Sequence, residues 1–267
     1  MNRIRALALI AALFSGLLQA AELKVAILVQ DTAQLSMQGD LVPSSTPGAD
    51  LVAVTDELAR EICRRINARC AYSYVRLADI LPGVEDGRFD LGFGNFLRSP
   101  EREKRVAYSD PLFRSSSRLI GKPATARIFA TRLGQPVSLA SLRDARVAAL
   151  DGSQQQAFLD GIAGERALTV LATATTAEAL DVLRRDGADF ALLPIRTGYA
   201  LISRDKAQHF AFVGPAVTAH GLGDTAHIVL AKQQAALRRA VNKAIREIKA
   251  DGTFQRIMHR HFPVFLD

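Results

Sequence analysis

The sequence predicts an α/β fold built on parallel sheets, and three observations indicate it. The run from Glu22 to Gln30 is almost entirely apolar, which is typical of a parallel strand buried on both faces. From residue 22 to residue 97, strand and helix patterns alternate in the order β-α-β-α-β, as in a parallel sheet with right-handed crossovers. A second series of alternating patterns follows from 145 to 194.

Hydrophobic spacing and end signals place the elements of the first series. Ala49 to Val54 is predicted to be a short strand, and Thr55 to cap a helix from Asp56 to about Ala68. The remaining predicted elements are strands at 70–76, 145–150, 168–172, 190–194 and 226–231, a strand from 90 that leads into a helix beginning at 100, and helices at 78–87, 154–162, 175–186, 234–250 and from 253 onward.

The stretch from Asp90 to Arg102 carries the strongest chemical signal in the residues themselves. It reads as a buried strand that runs directly into a helix, with Ser99 as the N-cap and Pro100 in the first helical position. Free N–H groups at a helix start, together with the guanidinium of Arg102, form a binding site for a small anion, most simply a carboxylate. The alternative is that Arg102 is one solvated residue of the charged run 101–105.

The N-terminus has the form of a secretory signal peptide. Residues 1–5 contain Arg3 and Arg5, and a short apolar run from Ala6 to Leu18 follows. Small residues then give a cleavage site near Ala20 or Ala21. We therefore exclude residues 1–21 from the fold and expect an exported, periplasmic protein that is not inserted in the membrane.

Composition and cysteine content limit the classes of function. The net charge is +7, from 34 basic and 27 acidic residues that are spread along the chain, which argues against a nucleic-acid-binding surface. The two cysteines, Cys63 and Cys70, are an even pair in an exported chain and suggest a disulfide between a helix end and the next strand. No histidine or cysteine spacing is that of a metal site, and no cofactor motif occurs, so we predict neither a metal nor a cofactor.

Several segments together resemble one family. They are Gly87-Arg-Phe-Asp90, Ser99-Pro-Glu-Arg-Glu-Lys-Arg-Val-Ala-Tyr-Ser-Asp-Pro111, Gly187-Ala-Asp-Phe-Ala191 and Asp251-Gly-Thr-Phe-Gln-Arg-Ile-Met-His-Arg-His-Phe-Pro263. Over nearly all of the mature chain the sequence is similar to the family 3 solute-binding proteins, the substrate-binding proteins of polar amino acid ABC transporters. Cys63 and Cys70 fall where some members have a disulfide.

The resemblance implies a two-lobed periplasmic binding protein type II fold. Each lobe would be a mainly parallel sheet flanked by helices, and two hinge strands would join the lobes. The first lobe would comprise 22–113 and 220–267, and the second 114–219. The implied function is capture of a small carboxylate-bearing solute in the cleft and delivery to an inner-membrane ABC permease, by a monomer with no nucleic-acid partner.

The resemblance also assigns roles to single residues. Arg102 matches the arginine that binds the ligand's α-carboxylate, and Gly94 and Asn95 fall where hydroxyl residues line the family's site. Ser153 and Gln154 match the polar helix start of the second lobe that closes on the ligand.

Three positions depart from the family pattern. Pro194 stands in place of the acid that binds the α-ammonium group, Leu97 in place of a hydrogen-bonding residue, and Leu77 in place of an aromatic wall. The carboxylate half of an amino acid site is thus present without the ammonium half, which predicts an organic anion or an atypical amino acid as ligand. Asp31 is a candidate partner for a cationic group, although an acid in a loop is more often a solvated residue.

Two other functions remain open at this point. Some proteins of similar sequence are cyclohexadienyl dehydratases, carbon–oxygen lyases that act on a cyclic acid. Such an enzyme would need an acid or base in the cleft, for which only Asp31 and Asp151 are candidates. The other alternative is a periplasmic sensor or accessory protein. The resemblance favours a binding protein without catalytic activity.

Overall fold

Two mixed sheets, each flanked by helices, form the two lobes of the fold. In the computed structural model the described residues are 22–29, 49–205, 207 and 209–261, with the backbone alone for 49, 50 and 204. The signal peptide and Asp31 lie outside these residues. Among the described helices, none combines the length and the apolar character needed to cross a bilayer.

The described residues of the first lobe form a six-stranded sheet with five helices. Its strand order is β2-β1-β3-β11-β4, and β5 also pairs with β11. Its strands are β1 (Leu23–Leu28), β2 (Cys70–Val75), β3 (Leu91–Leu97), β4 (Val106–Tyr108), β5 (Phe113–Ser115) and β11 (Asp224–Ala231). Its helices are α1 (Ala49–Arg65), α2 (Leu77–Glu85), α3 (Pro100–Glu103), α8 (Ala235–Ala250) and α9 (Thr253–His261).

The part of the second lobe that the structure describes is a five-stranded sheet with four helices, in the strand order β10-β6-β9-β7-β8. Its strands are β6 (Ser117–Gly121), β7 (Arg146–Leu150), β8 (Thr169–Thr173), β9 (Phe190–Pro194) and β10 (Ala211–Val217). Its helices are α4 (Pro123–Leu133), α5 (Gln154–Arg166), α6 (Thr176–Arg184) and α7 (Ile195–Arg204).

The pairing within the sheets agrees with the predicted α/β class. In each lobe three neighbouring strands are parallel: β2-β1-β3 in the first and β8-β7-β9 in the second. The strands that carry the chain between the lobes add antiparallel pairings at one side of each sheet. The chain crosses between β5 and β6 and returns between β10 and β11, consistent with two lobes joined by two crossings. The exact lobe boundaries, 113/114 and 219/220, stay a prediction.

One aspartate in each lobe fixes a pair of parallel strands, and the two aspartates occupy equivalent positions. In the first lobe, the backbone N–H of Lys24 donates to the carboxylate of Asp90 at 2.8 Å, and Asp90 N–H donates to the Lys24 carbonyl at 2.7 Å. In the second, Arg146 and Asp189 form the same pair of contacts, at 2.8 and 2.9 Å. These carboxylates satisfy strand-end N–H groups, so their role is structural.

The prediction of a strand at Ala49–Val54 is wrong, because these residues form the first turns of α1. Their β-branched and apolar composition reflects burial, since Leu51 and Val52 pack in the first lobe's core. Thr55 is therefore inside the helix, and its hydroxyl donates to the carbonyl of Leu51 at 2.8 Å instead of capping the helix start. Tertiary packing here outweighs local propensity.

Two helices were not predicted. Helix α4 has the usual end signals, with Pro123 in its first turn and Gly134 in the left-handed conformation after its end. Helix α7 begins directly after the buried strand β9, without a side-chain cap. Ala200 of α7 lies in the core of the first lobe, so this helix of the second lobe contacts both lobes.

The predicted disulfide is confirmed. Cys63 and Cys70 are bonded, with Cα atoms 6.4 Å apart. Cys63 is in the last turns of α1, and Cys70 is the first residue of β2. The bond therefore closes the α1–β2 connection at the edge of the sheet where β1 and β2 begin, opposite the edge where these strands end.

Candidate functional site

An interlobe cavity lies between the two sheets, where parallel strands end and helices begin. It encloses about 710 Å3 of empty space, counted out to its open mouth. The ends of β1, β3, β7 and β9 contribute to it, together with the starts of α2, α5, α6 and α7. Open α/β sheets commonly bind ligands at such an edge. The lining residues are Leu28, Leu77, Gly94, Asn95, Phe96, Leu97, Arg102, Phe113, Ser115, Leu150, Ser153, Gln154, Gln155, Thr176, Leu192, Leu193, Pro194, Arg196 and Thr197.

Arg102 is fixed by the strand-to-helix turn that the sequence indicates. Ser99 caps α3, and its hydroxyl accepts a hydrogen bond from the backbone N–H of Arg102 at 3.4 Å. The side chain of Arg102 turns inward and is only 8% exposed. Its guanidinium lies over the ring of Phe96, with Cζ 5.6 Å from the ring centroid. Arg102 is therefore a buried cation at the cavity wall and not a solvated member of the charged run.

The hydrogen bonds of Arg102 join the two lobes. Nη1 donates to the carbonyl of Leu97 at 3.1 Å, and Nη2 donates across the cleft to the carbonyl of Gly152 at 2.7 Å. In the amide orientation that satisfies both side chains, Gln154 Oε1 accepts from Nε at 3.1 Å and from Nη1 at 3.3 Å. The acceptors that face this cation are thus neutral oxygens, two of them from the second lobe.

Burial lowers the pKa of Arg102, because the surrounding protein solvates the cation less well than water does. The neighbouring Tyr108 partly opposes this effect, and burial raises the pKa of Tyr108 in turn. An arginine keeps its proton under all ordinary conditions. The loss of hydration therefore does not neutralise Arg102 but adds a free-energy cost to its burial. A negative group placed against Arg102 would offset that cost.

Gly94 and Asn95 reach the cavity through a bulge in β3. In the pairing with β11, Phe93 faces Ile228 and Phe96 faces His227, so the two residues between them have no partner. Asn95 has φ 54°, a left-handed conformation that asparagine tolerates. A Cβ on Gly94 would lie 2.8 Å from the ring of Phe96 and 3.0 Å from Leu77, so a side chain there would need space that these residues fill. Bulges of this kind redirect side chains beside binding sites.

The start of α5 places Ser153 and Gln154 at the second-lobe side of the cavity. Ser153 is the N-cap, and its hydroxyl accepts from the backbone N–H of Gln156 at 3.0 Å. Gln156 Oε1 accepts from the backbone N–H of Gly152 at 2.8 Å, which closes a reciprocal capping arrangement. The side chain of Gln155 is buried and donates to Ser117 Oγ at 2.7 Å, which anchors the helix to the first crossing.

The structure therefore brings together Gly94, Asn95, Arg102, Ser153 and Gln154, and their role in binding stays a prediction. Asp31 lies outside the described residues. The three positions that depart from the family pattern, Leu77, Leu97 and Pro194, also line the cavity. Asp151, the other candidate acid, is exposed and does not belong to the lining.

Sequence reasoning missed several lining residues of the second lobe. Arg196 and Thr197 lie in the first turn of α7, and Thr176 begins α6. Arg196 is half-buried, and its Cζ lies 4.8 Å from the ring centroid of Phe113. The sequence signal that could have pointed to Arg196 is its place two residues after Pro194, where a buried strand ends. Within the described residues the cavity thus contains two arginines and no aspartate or glutamate in its lining.

A smaller cavity lies under α1, next to the interlobe cavity. The two cavities share Asn95, Phe113 and Arg196 in their linings. The wall of the smaller cavity includes His227, which is buried and hydrogen-bonded at both ring nitrogens. Nδ1 lies 2.8 Å from the carbonyl of Ser109, and Nε2 lies 2.8 Å from the hydroxyl of Thr225. Burial lowers the pKa of His227, so the ring is neutral at pH 7. A search of the described residues finds no group of His, Cys, Asp and Glu suited to a metal ion.

Comparisons with known proteins give consistent results. Residues 49–264 match the family described as bacterial extracellular solute-binding proteins, family 3. The lysine/arginine/ornithine-binding periplasmic protein of Escherichia coli is 26% identical over 238 residues, which cover 87% of this chain and 88% of that protein. The histidine-binding periplasmic protein of Salmonella typhimurium is 25% identical over 228 residues, covering 82% of each.

Solved structures show the same fold. An ancestral arginine-binding protein bound to arginine superposes with a TM-score of 0.73 at 21% identity, over 90% of this chain and 98% of that chain. An arginine-specific periplasmic binding protein of Salmonella typhimurium gives a TM-score of 0.72 at 15% identity, over 90% of this chain and 98% of that chain. The two periplasmic relatives are named as binding proteins, which agrees with the prediction of a protein without catalytic activity. Together with the two-lobed fold and the cavity between its sheets, the match over most of the sequence shows that the chain belongs to family 3 of the bacterial extracellular solute-binding proteins.

Proposed function

We propose that this protein captures a small carboxylate-bearing solute between its lobes and delivers it to an ABC permease. The observation that carries the proposal is the buried guanidinium of Arg102, which lies at the cavity wall and faces neutral oxygens in the described residues. A buried cation is costly unless a negative group pairs with it. A planar carboxylate satisfies a guanidinium with two parallel hydrogen bonds.

The interlobe contacts support a specific order of events. In the open state Arg102 would be accessible from solvent at the mouth of the first lobe. The ligand carboxylate would bind there first, and the start of α5 would then close on it. The side chain of Gln154 can rotate, so it would leave Nε of Arg102 and hydrogen-bond to the ligand instead. The backbone carbonyl of Gly152 is fixed by the turn and would keep its hydrogen bond with Arg102. Ligand contacts to both lobes would select the closed state.

The residues opposite Arg102 support an organic anion or an atypical amino acid as ligand. Pro194 has neither a charge nor a backbone N–H and so provides no group for an α-ammonium. Asn95, Ser115, Ser153, Gln154 and Thr197 give hydrogen-bonding groups without charge. Asp31, outside the described residues, is the remaining candidate for a cationic group on the ligand.

The same proposal covers location and partners. The relatives named above are periplasmic proteins, and the N-terminal 21 residues have the pattern of a cleaved signal peptide. We infer that the protein is exported to the periplasm, acts there as a monomer and docks to an inner-membrane permease.

Isothermal titration calorimetry on the mature protein tests the proposal. The titrants are a panel of L-amino acids and a panel of small organic acids, applied to the wild type, Arg102→Gln and Arg105→Gln. Arg105 is a matched control because it belongs to the same charged run but pairs with Glu85 at the surface. We expect at least one carboxylate to bind the wild type and Arg105→Gln equally well and to lose affinity for Arg102→Gln. Equal binding to all three proteins would refute the proposal.

A further inference from the structure

Apolar side chains lie beside the guanidinium of Arg102. Cζ of Arg102 is 5.6 Å from the ring centroid of Phe96. A Cβ on Gly94 would lie 2.8 Å from that ring and 3.0 Å from Cδ1 of Leu77, so the two side chains come together over this glycine. Leu28, at the end of β1, belongs to the same cluster of packed side chains. A ligand carboxylate bound at Arg102 would therefore place the rest of the ligand near hydrocarbon.

The second lobe completes this apolar surface. Leu150 is the last residue of β7, and its side chain packs in the same cluster. The apolar patch thus consists of Leu28, Leu77, Phe96 and Leu150, and all four line the interlobe cavity. Each is buried, with at most 7% of its surface exposed. The lobes therefore meet through hydrocarbon at this wall of the cavity.

Backbone oxygens beside the apolar patch are already used. The carbonyl of Leu97 accepts hydrogen bonds from Nη1 of Arg102 at 3.1 Å and from the hydroxyl of Tyr108 at 3.4 Å. The carbonyl of Gly152 accepts from Nη2 of Arg102 at 2.7 Å. A carbonyl oxygen has two acceptor positions, so that of Leu97 has none left for a polar group of the ligand.

These features favour opposite chemistry at the two ends of a ligand. Hydrocarbon that leaves water for the apolar patch gains free energy in proportion to the area buried. An amide, hydroxyl or carboxylate in the same place would lose its hydrogen bonds to water without replacement. The carboxylate end of the ligand would pair with Arg102, and the other end would be selected for the absence of polar groups.

We infer that the preferred ligands are monocarboxylates with a compact, uncharged hydrocarbon body, such as a branched alkyl group, which the apolar patch covers. This inference rests on the proposed function, because it takes Arg102 as the site of the carboxylate. The body must be compact because the lobes approach closely beside the cavity, where a Cβ on Gly152 would lie 3.1 Å from Cα of Ala78.

Ligands of equal shape that differ in one group test the inference. In each pair a carboxamide replaces an isopropyl group: 4-methylpentanoate and succinamate, 4-methyl-2-oxopentanoate and 2-oxosuccinamate, and L-leucine and L-asparagine. Succinate, which has a carboxylate in this place, is the charged comparison. Each compound is titrated calorimetrically into the wild type, Leu77→Ala, Leu77→Met, Leu81→Ala and Arg102→Gln.

Leu81→Ala is the matched control. Leu81 lies one turn beyond Leu77 on α2 and packs in the same cluster. It is similarly buried, at 8% exposed against 7%, but it does not line the interlobe cavity. Both alanine variants should lose comparable stability in denaturant unfolding, so a difference in ligand preference between them reports the contact with the ligand.

For the wild type we expect the isopropyl compound of at least one pair to bind about tenfold more tightly than its carboxamide, and also more tightly than succinate. Leu77→Ala should reduce this preference to about threefold or less by weakening the isopropyl compound alone. Leu77→Met keeps the hydrocarbon surface and should keep the preference, as should Leu81→Ala.

The outcomes separate the two proposals. The inference is overturned if the wild type prefers the isopropyl compound in no pair, if succinate binds as tightly as the best isopropyl compound, or if Leu77→Ala keeps the full preference. It is also overturned if Leu81→Ala loses the preference to the same extent as Leu77→Ala. In those cases the proposed function stands as long as the carboxylate that binds best loses affinity for Arg102→Gln. Failure of every carboxylate to bind, or binding that is equally tight in Arg102→Gln, overturns the proposed function itself.

Discussion

Arg102 in the first lobe donates a hydrogen bond to the carbonyl of Gly152 in the second, with Nη2 2.7 Å from the oxygen. The residue proposed to bind the ligand therefore also contributes to closure. Gly152 has φ 71°, and a Cβ built on it would lie 3.1 Å from Cα of Ala78 in the first lobe. The lobes thus meet through backbone atoms beside the cavity, and ligand binding and lobe contact are coupled at one place.

Gly152→Ala should weaken ligand binding in addition to weakening the fold. The left-handed conformation costs a residue with a Cβ about 1–2 kcal/mol in either state of the cleft. The contact with Ala78 arises only when the lobes are closed and should cost roughly another 1 kcal/mol, about fivefold in Kd. Calorimetric titration and thermal unfolding measure the two effects separately.

Gly134→Ala is the matched control for this experiment. Gly134 has φ 66°, and a Cβ there would meet nothing within 4 Å. Gly134→Ala should therefore lose about as much stability as Gly152→Ala, without a change in ligand affinity. Equal affinities of the two variants would contradict the proposed role of the Gly152–Ala78 contact.

Arg102→Gln should separate binding from stability. The substitution removes the charge that pairs with the ligand, so affinity should fall by about 100-fold or more. It also removes a desolvated cation, which offsets the lost hydrogen bonds, so the unfolding free energy without ligand should change by less than about 1 kcal/mol. Denaturant unfolding of the ligand-free protein checks the second part. A loss of several kcal/mol would mean that Arg102 acts mainly in the fold.

The Cys63–Cys70 disulfide should stabilise the first lobe without affecting the ligand. It joins residues separated by seven positions, and a loop of this length predicts a contribution of about 2 kcal/mol through the unfolded chain. Replacing both cysteines with alanine should lower the unfolding free energy by about that amount, measured in denaturant. Ligand affinity should stay within about twofold, because the bond lies away from the cavity.

His227 should make the fold less stable in mild acid. Because burial lowers its pKa in the folded protein, the unfolded chain takes up a proton at higher pH than the folded protein does. Its contribution is fully present above the unfolded pKa, about 6.5, and is lost as the pH falls through the lower folded pKa.

The check is the pH dependence of the unfolding free energy of the wild type and His227→Gln. The variant should show a shallower decline below about pH 6.5. Identical slopes for the wild type and His227→Gln would show that burial of this ring does not contribute to the acid sensitivity.

Much of the fold could be predicted because local signals and tertiary contacts agree. Ser99, Pro100 and the preceding apolar strand mark the turn that places Arg102, and the structure has this turn. The segment 49–54 shows the opposite case. Its apolar residues favour a strand in isolation, but as part of α1 they pack on the core of the first lobe.

The cavity could be predicted only in part, because half of it depends on how the lobes meet. Arg102 and Gly152 are 50 positions apart in the sequence, and nothing local to either residue indicates that their atoms are in contact. Arg196 was missed for a similar reason, because its position two residues after Pro194 does not by itself show that α7 begins at the cavity. The resemblance identified Pro194 as a departure, but it did not identify the cation that follows it.

Pro194→Asp should shift the ligand preference toward amino acids with a free ammonium group. Pro194 is the N-cap of α7, a position where aspartate is favoured, so the helix should gain about 1 kcal/mol rather than lose stability. The new carboxylate would accept hydrogen bonds from an α-ammonium group. L-Amino acids with neutral or basic side chains should therefore bind more tightly than to the wild type. Pro194→Ala is the control, since it restores the backbone N–H without adding charge. If Pro194→Ala gains amino acid affinity as well, the rigid ring at this position, and not the missing negative charge, determines the specificity.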